Sequence, residues 1–585
     1  MWRAAPGRWR RSTPSNAILP SRPLINPWII AATVMLATFM EVLDTSVANV
    51  ALPHIAGSLS ATPEEATWVL TSYLVANAII LPMGAWFSML MGRKRFYMIC
   101  VGVFTVSSLL CGMAPTLGLL VFFRILQGLG GGALQPISQA ILVESFPREK
   151  QGMAMAFYGM GVVVAPVIGP TLGGWITDNF SWGWIFFINL PVGILSLVLT
   201  SSLVHDPPYM VRKSLGNGFR IDYMGFALLA LGLGSLEIVL DEGQRNDWFA
   251  SSFIVSFAIL TAVCLVGVVL WELRQKQPVI DFHVLKERNF ALATASMLVL
   301  GFVLYGSTAL LPLFLQTLLG YTAMLSGMVL SPGGVAICIC MPFVGYLLHK
   351  YQARWLVIFG VLVSSAGLIA MSRFTLQLDY ATAVWGRIVQ SFGLAFIFVP
   401  VSTVAFMLIP RERMNYATGL YNLARNIGGS SGIAATTTIL ARRAQFHQSV
   451  LVSHMTPYDA PYRDAVGKAT MMLQAGGSSS ADAAVQANGL LYGTVLKQAG
   501  MLAFADAFWI MGILFLVIVP LMFMIRKTKP VSGPIAAAVS VANFMSSPSA
   551  VMRTVSPGLM SPCSNFTASG FWTSVWIARF SGRAP

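Results

Sequence analysis

Apolar runs long enough to cross a bilayer recur along the whole chain. They lie near residues 28–52, 66–88, 96–114, 117–141, 152–176, 183–204, 223–241, 250–272, 290–313, 322–348, 354–373, 380–408, 416–440 and 502–525. A hydrocarbon core about 30 Å thick needs about 20 apolar residues in a helix. The pattern predicts fourteen spanning helices and an all-α integral membrane protein. Glycine and proline inside these runs do not argue against membrane helices. Most connections are short and polar, but Ala441–Gly500 reads as one long extracytoplasmic loop.

Composition agrees with the pattern. The chain is 56% hydrophobic and 10% charged, where a soluble protein carries about 25% charged residues. The net charge of +15 does not mark a nucleic-acid binder, because the basic residues sit in short groups between apolar spans. Those groups follow even-numbered spans: Arg93-Lys94-Arg95, Arg148 with Lys150, Arg212 with Lys213 and Arg220, Arg274 with Lys276, Lys350 with Arg354, and Arg411 with Arg413. Connections after odd-numbered spans are acidic or neutral, as at Glu64-Glu65, Asp178 and Asp247. Positive loops stay inside, so both termini are expected in the cytoplasm. Residues 1–27 read as a disordered, Arg-rich arm before an uncleaved signal-anchor helix, and 527–585 as a disordered tail. The six cysteines show no metal or disulfide spacing. No nucleotide loop, metal set or nucleophile triad stands out, so neither an enzyme nor a bound cofactor is expected.

The chain repeats itself. Arg124-Ile-Leu-Gln127-Gly128-Leu-Gly130 in the fourth span matches Arg387-Ile-Val-Gln390-Ser-Phe-Gly393 in the twelfth, with Pro136-Ile-Ser138 and Pro400-Val-Ser402 following each. Two related halves characterise transporters. This pairing divides the chain into six-helix bundles at 28–204 and 286–526, separated by a two-helix insert and linkers at 205–285.

Charges inside the spans carry the candidate chemistry. Asp44 lies in the first span, with Glu41 three residues earlier on the same helix face. An intramembrane acid is costly and usually belongs to a proton or ion pathway. At 1.5 Å per residue, Asp44 lies roughly 12 Å, and Arg124 in the fourth span about 10 Å, from the outer surface. The two are therefore expected to meet across a central cavity. Arginine keeps its charge and holds a nearby carboxylate ionised until substrate or proton competes. The alternative is a structural ion pair that only fixes helix orientation. Glu41 is a second proton site, a binder of cationic substrates, or a protonated acid on a wet helix face. Arg387 and Arg425 are inward-facing candidates, whereas Glu237 and Asp506 read as ordinary acids near span ends. The fifth span carries Pro166, Gly169, Pro170, Gly173 and Gly174, which predict a kinked and closely packed helix. Gly428-Gly429-Ser-Ser-Gly432 is its expected counterpart in the second half.

Three of these sets resemble the fourteen-span drug:proton antiporters of the major facilitator superfamily, the EmrB/QacA type: Leu43-Asp44-Thr-Ser-Val-Ala-Asn49-Val-Ala before Pro53, Arg124-x-x-Gln127-Gly128-x-Gly130, and Gly169-Pro170-x-x-Gly173-Gly174. Trp182–Pro191 and Asp241–Phe249 add to a resemblance that covers about residues 28–526 and leans to the EmrB branch. It implies a major facilitator fold of two six-helix bundles plus two central helices. It also implies Asp44 as the coupling acid, Arg124 as its partner, and the fifth-span set as the antiporter motif. One motif departs: the family's Asp and Arg before Gly-Arg-Lys are Met89 and Leu90 before Gly92-Arg93-Lys94, so the usual charge latch is altered. The resemblance implies export of hydrophobic compounds against protons across a bacterial inner membrane. In a Gram-negative host it adds a periplasmic adaptor and an outer-membrane channel. Proton-coupled transport of one metabolite has the same fold and stays open, as does a non-transporting scaffold.

Overall fold

The computed structural model describes residues 26–206, 222–275, 278–456 and 458–526. The N-terminal arm, the tail, Arg212, Lys213, Arg220 and Lys276 lie outside the described residues. The described chain is helical throughout. Its long helices are α1 (Pro27–Ser58), α2 (Trp68–Met91), α3 (Arg93–Gly112), α4 (Leu117–Ser145), α5 (Gln151–Asn179), α6 (Trp184–Leu203), α7 (Tyr223–Glu242), α8 (Ser252–Glu272), α9 (Arg288–Thr317), α10 (Ala323–Leu347), α11 (Ala353–Met371), α12 (Tyr380–Phe406), α13 (Met414–Ser453) and α14 (Ser480–Met524).

Local chemistry sets several of their ends. Asn26 accepts from the Trp28 amide at 3.0 Å and Pro27 occupies the first helical turn, a strong start signal. The Thr116, Asp222 and Ser479 side chains cap α4, α7 and α14 in the same way. α1 continues through Pro53, past the run expected at 28–52. α4 is not the single unit expected: it stops at Gly131 and restarts at Leu134. At this break a Cβ on Gly132 would collide with the Asn77 carbonyl and Ile80.

Thirteen of these helices are long and apolar enough to cross a membrane. The expected span 416–440 lies in α13, which has the length but falls outside that set. Asn422, Arg425, Asn426 and a Gly/Ser/Thr run dilute its apolar character, and Asn422 and Arg425 are fully buried in protein.

α1 packs on α5 and α6, α2 on α4, and α3 on α4 and α6; α9 packs on α13, α10 and α11 on α12, and α14 on α11 and α13. Two seams join the halves, α5 against α10 and α2 against α13. α7 lies against both α2 and α13, with α8 outside it. α8 is the most apolar of the thirteen and the least covered by protein, as expected for a helix facing lipid on most sides.

Ala441–Gly500 departs from expectation, because most of it is helix. α13 runs on to Ser453, a separate helix covers Ala460–Ala475, and α14 begins at Ser480. Alanine is the commonest residue here and favours helix without an apolar face. Tyr462 donates to Asn488 at 2.6 Å and Gln448 to Tyr492 at 2.8 Å, tying the extension together. Asp506 is no solitary interfacial acid: it meets Arg443 at 2.5 Å and His447 at 2.7 Å.

Candidate functional site

Asp44 and Arg124 meet, but inside the first bundle rather than across a cavity. Arg124 Nη1 donates to Asp44 Oδ2 at 2.6 Å, with both side chains buried. Gln127 and Asn189 donate to Asp44 Oδ1 at 2.9 and 2.7 Å. Arg124 also donates to the Val69 carbonyl and to Gln127 Oε1, and its guanidinium lies 4.2 Å from the centre of the Tyr73 ring. A buried ion pair persists only with such added hydrogen bonds. Gly128 lets α4 approach: a Cβ there would stand 2.5 Å from the Tyr73 carbonyl and 2.8 Å from Ala76.

Glu41 faces a different space. It accepts from Gln135 at 2.5 Å, Asn77 at 3.0 Å and the Tyr73 hydroxyl at 3.3 Å. Tyr73 thus touches both acids' networks, with its ring under Arg124 and its hydroxyl on Glu41. Arg425 donates to the Gln135 oxygen and is an electrostatic partner of Glu41. A cavity of about 100 Å³ opens beside these groups, lined by Glu41, Tyr73, Asn77, Gln135, Glu237 and Tyr305 among others. Asp44 is not part of its lining.

The second half repeats the arginine without the acid. Arg387 donates to Gln390 at 2.9 Å and to Thr308 at 3.0 Å, while Gln390 donates to Ser307 at 2.6 Å. Hydroxyls of α9 stand where α1 supplies Asp44. Among the described residues no ion pair includes Arg387.

The glycine-proline helix is the close neighbour of α1. Ser46 donates to the Pro166 carbonyl at 3.0 Å, and a Cβ on Gly169 would collide with Ser46. A Cβ on Gly173 would lie 3.0 Å from the Val47 carbonyl, and Gly174 is buried in the same helix. α5 continues through Pro166 and Pro170. α13 mirrors this against α9, where Gly428 and Gly432 would collide with the Leu298 and Phe302 carbonyls if given side chains. Small residues permit such approach.

Arg93 does more than mark a loop. It makes a two-pronged bond to Glu144 at 2.7 and 3.0 Å, with both groups nearly buried, just after Gly92 at φ 87°. Asn49 and Pro53 are exposed on α1; Pro53 lines a separate cavity with Leu52 and Arg245.

The halves are bridged by polar contacts in the part of the molecule that contains Gln135 and Gln139. Asn422 donates to Gln139 at 2.6 Å, and Tyr158 and Asn422 stand 3.4 Å apart. His349 reaches the Glu149 carbonyl at 2.7 Å.

The sequence matches the family described as Major Facilitator Superfamily over residues 34–433. The chain belongs to that superfamily. It is therefore a multi-pass membrane transporter rather than an enzyme. The fatty acid resistance protein FarB of Neisseria gonorrhoeae is 38% identical over 84% of this chain and 94% of its own. The multidrug export protein EmrB of Escherichia coli K12 is 34% identical over 88% and 98%. The colistin resistance protein EmrB of Acinetobacter baumannii is 31% identical over 85% and 95%. Among solved structures, the proton:xylose symporter XylE bound to 6-bromo-6-deoxy-D-glucose superposes with TM-score 0.54 at 14% identity, covering 86% of this transporter and 97% of XylE; that likeness shows the fold alone.

Several groups in the transporter's polar networks have no role assigned from sequence: Tyr73, Asn77, Gln135, Asn189 and Glu144, while Glu237 reads there only as an ordinary acid. Asn77, Gln135 and Asn189 are lone polar residues in apolar runs, which is itself a signal in a membrane helix. Tyr73 carried none.

Proposed function

We propose that this chain exports lipophilic compounds in exchange for protons, by alternating access between its two halves. The observation that carries the reading is the buried Asp44–Arg124–Gln127 cluster, linked through Tyr73 to Glu41 on the cavity. It occurs in a chain 34% identical to a multidrug export protein over most of both lengths. Glu41 is the acid that substrate and water reach. Asp44 with Arg124 forms the coupling pair, which must loosen before Asp44 can take a proton. The α5–α10 and α2–α13 seams serve as the surfaces on which the halves rock, the close α1–α5 and α9–α13 contacts keep each half together, and Gly92, Arg93, Arg387 and Arg425 hold the helices in place. The proton gradient supplies the energy.

Two six-helix bundles, at 28–204 and 286–526, with α7 and α8 between them, make fourteen spans in this reading. The site is the bacterial inner membrane with both termini in the cytoplasm. The helical extension at 441–500 then lies outside, placed to meet a periplasmic adaptor and an outer-membrane channel where the host has two membranes. A cysteine at Ala475, which is exposed, reacts with an impermeant thiol reagent in cells whose outer membrane, if present, has been opened. Reaction only after lysis reverses the orientation.

Everted vesicles test the function. Those containing this chain accumulate lipophilic dyes when their interior is acid, and lose the accumulation when the pH gradient is collapsed. Accumulation indifferent to the gradient would remove proton antiport.

A further inference from the structure

α7 belongs to the insert between the halves, yet it places Glu237 in the wall of the cavity that Glu41 lines. Glu237 was read as an ordinary acid near a helix end, but it is only 6% exposed. Its reach follows from the packing of α7 on α2 and α13, where it covers the seam between the halves.

Three buried acids, Glu41 and Glu237 on the cavity and Asp44 off it, differ in how they are compensated. Asp44 has a guanidinium at 2.6 Å and two amide donors. Glu41 has three donors and Arg425 nearby. Among the described residues Glu237 has one donor, the Ser430 hydroxyl at 2.7 Å. The charged group nearest it along α7 is Asp241, one turn away and of the same sign; Thr71 donates to that carboxylate. Among the described residues no ion pair includes Glu237. An ionised carboxylate so buried and unpaired is strongly disfavoured. It rests as the neutral acid, or it is ionised beside a cation that the protein does not provide.

The cavity wall suits such a cation. Tyr73 and Tyr305 contribute aromatic surface and Val42, Leu74 and Ile433 contribute apolar surface. Aromatic walls around a carboxylate favour an organic cation over a hydrated metal ion. The volume, about 100 Å³, is below the several hundred Å³ of a site enclosing a drug-sized ligand. In this conformation it holds only part of such a compound, and a bulky cation enters as the halves move apart.

We propose that Glu237 is a specificity-determining residue for lipophilic cations: the inserted helix brings the cavity the one acid whose countercharge is left for the substrate to supply. When the cation enters, the carboxyl proton of Glu237 passes to water and the carboxylate pairs with the positive head. When the cation leaves, the proton returns. This proposal rests on the export reading above, but its binding arm does not depend on transport.

The full chain, purified in detergent, is titrated with tetraphenylphosphonium and with the neutral triphenylphosphine oxide. Glu237→Gln keeps the side-chain shape and the Ser430 contact but cannot ionise. It weakens tetraphenylphosphonium binding about tenfold or more, the scale set by one charge pair. The ratio of cation to neutral binding falls with it, while Glu237→Asp holds that ratio near the wild-type value. In everted vesicles the cation-to-neutral uptake ratio falls in the same direction. Equal weakening of both ligands, or no weakening of either, overturns the proposal. So does a wild-type chain that does not bind tetraphenylphosphonium. Cation-selective binding without proton-driven uptake would overturn the export reading and leave the role of Glu237 standing.

Discussion

Asp44→Asn abolishes proton-driven export and leaves substrate exchange down its own gradient in place. The two carboxylate oxygens have different surroundings: Oδ2 faces Arg124, while Oδ1 faces the amides of Gln127 and Asn189. Asparagine can keep its oxygen toward Arg124 and point its NH₂ at Asn189, whose own amide can turn to accept, while the bond from Gln127 is given up. The bundle therefore folds and inserts. What is lost is a group that gains and releases a proton. Counterflow of labelled substrate in vesicles reports alternating access, and uptake driven by an imposed pH gradient reports coupling. The variant should retain the first and lose the second. Full gradient-driven uptake would take Asp44 out of the mechanism.

Arg124→Ala is far more damaging than Arg387→Ala, although the two arginines occupy matching places in the repeat. Removing Arg124 leaves Asp44 buried without its cation and also vacates the face of Tyr73. Stranding one partner of a buried ion pair costs about 3–5 kcal/mol. Arg387 has hydroxyl and amide partners only, and leaving those unsatisfied costs about 1–3 kcal/mol. Thermal unfolding in detergent and export per inserted molecule should rank the variants in the same order. Equal losses would mean that the acid partner of Arg124 has no special weight.

The two results together separate structure from coupling. Asp44→Asn keeps the side-chain shape and removes the titration together with the countercharge of Arg124. Arg124→Ala removes the countercharge and strains the bundle. A chain in which the pair merely fixed helix orientation would lose stability in both variants and keep gradient-driven uptake in whatever remains folded.

Much of this transporter was legible in its sequence, for a physical reason. A membrane helix must satisfy its backbone within itself and present apolar side chains to lipid, so long apolar runs report helices with no knowledge of their neighbours. Thirteen of the described helices meet that test where apolar runs predicted them. The cost of burying charge likewise singled out Asp44 and Arg124, and equal depth from the membrane surface was enough to pair them. The Gly/Pro set in α5 announced a close approach before its partner, Ser46–Val47 of α1, was visible.

Other features depended on which helices lie side by side. Depth could pair Asp44 with Arg124, but only packing closed that pair off from the cavity and turned Glu41 toward it. Alanine-rich composition permits helix without demanding it, so the extensions of α13 and α14 beyond the apolar runs took shape through contacts such as Arg443 and His447 on Asp506. Arg93 found Glu144 across 51 residues of chain, a separation no local pattern encodes. Glu237 shows the division most plainly. In sequence it is one acid near the end of an apolar run. It becomes a cavity acid because α7 packs against α2 and α13, and that neighbourhood is set by complementary side-chain shapes on segments far apart in the chain.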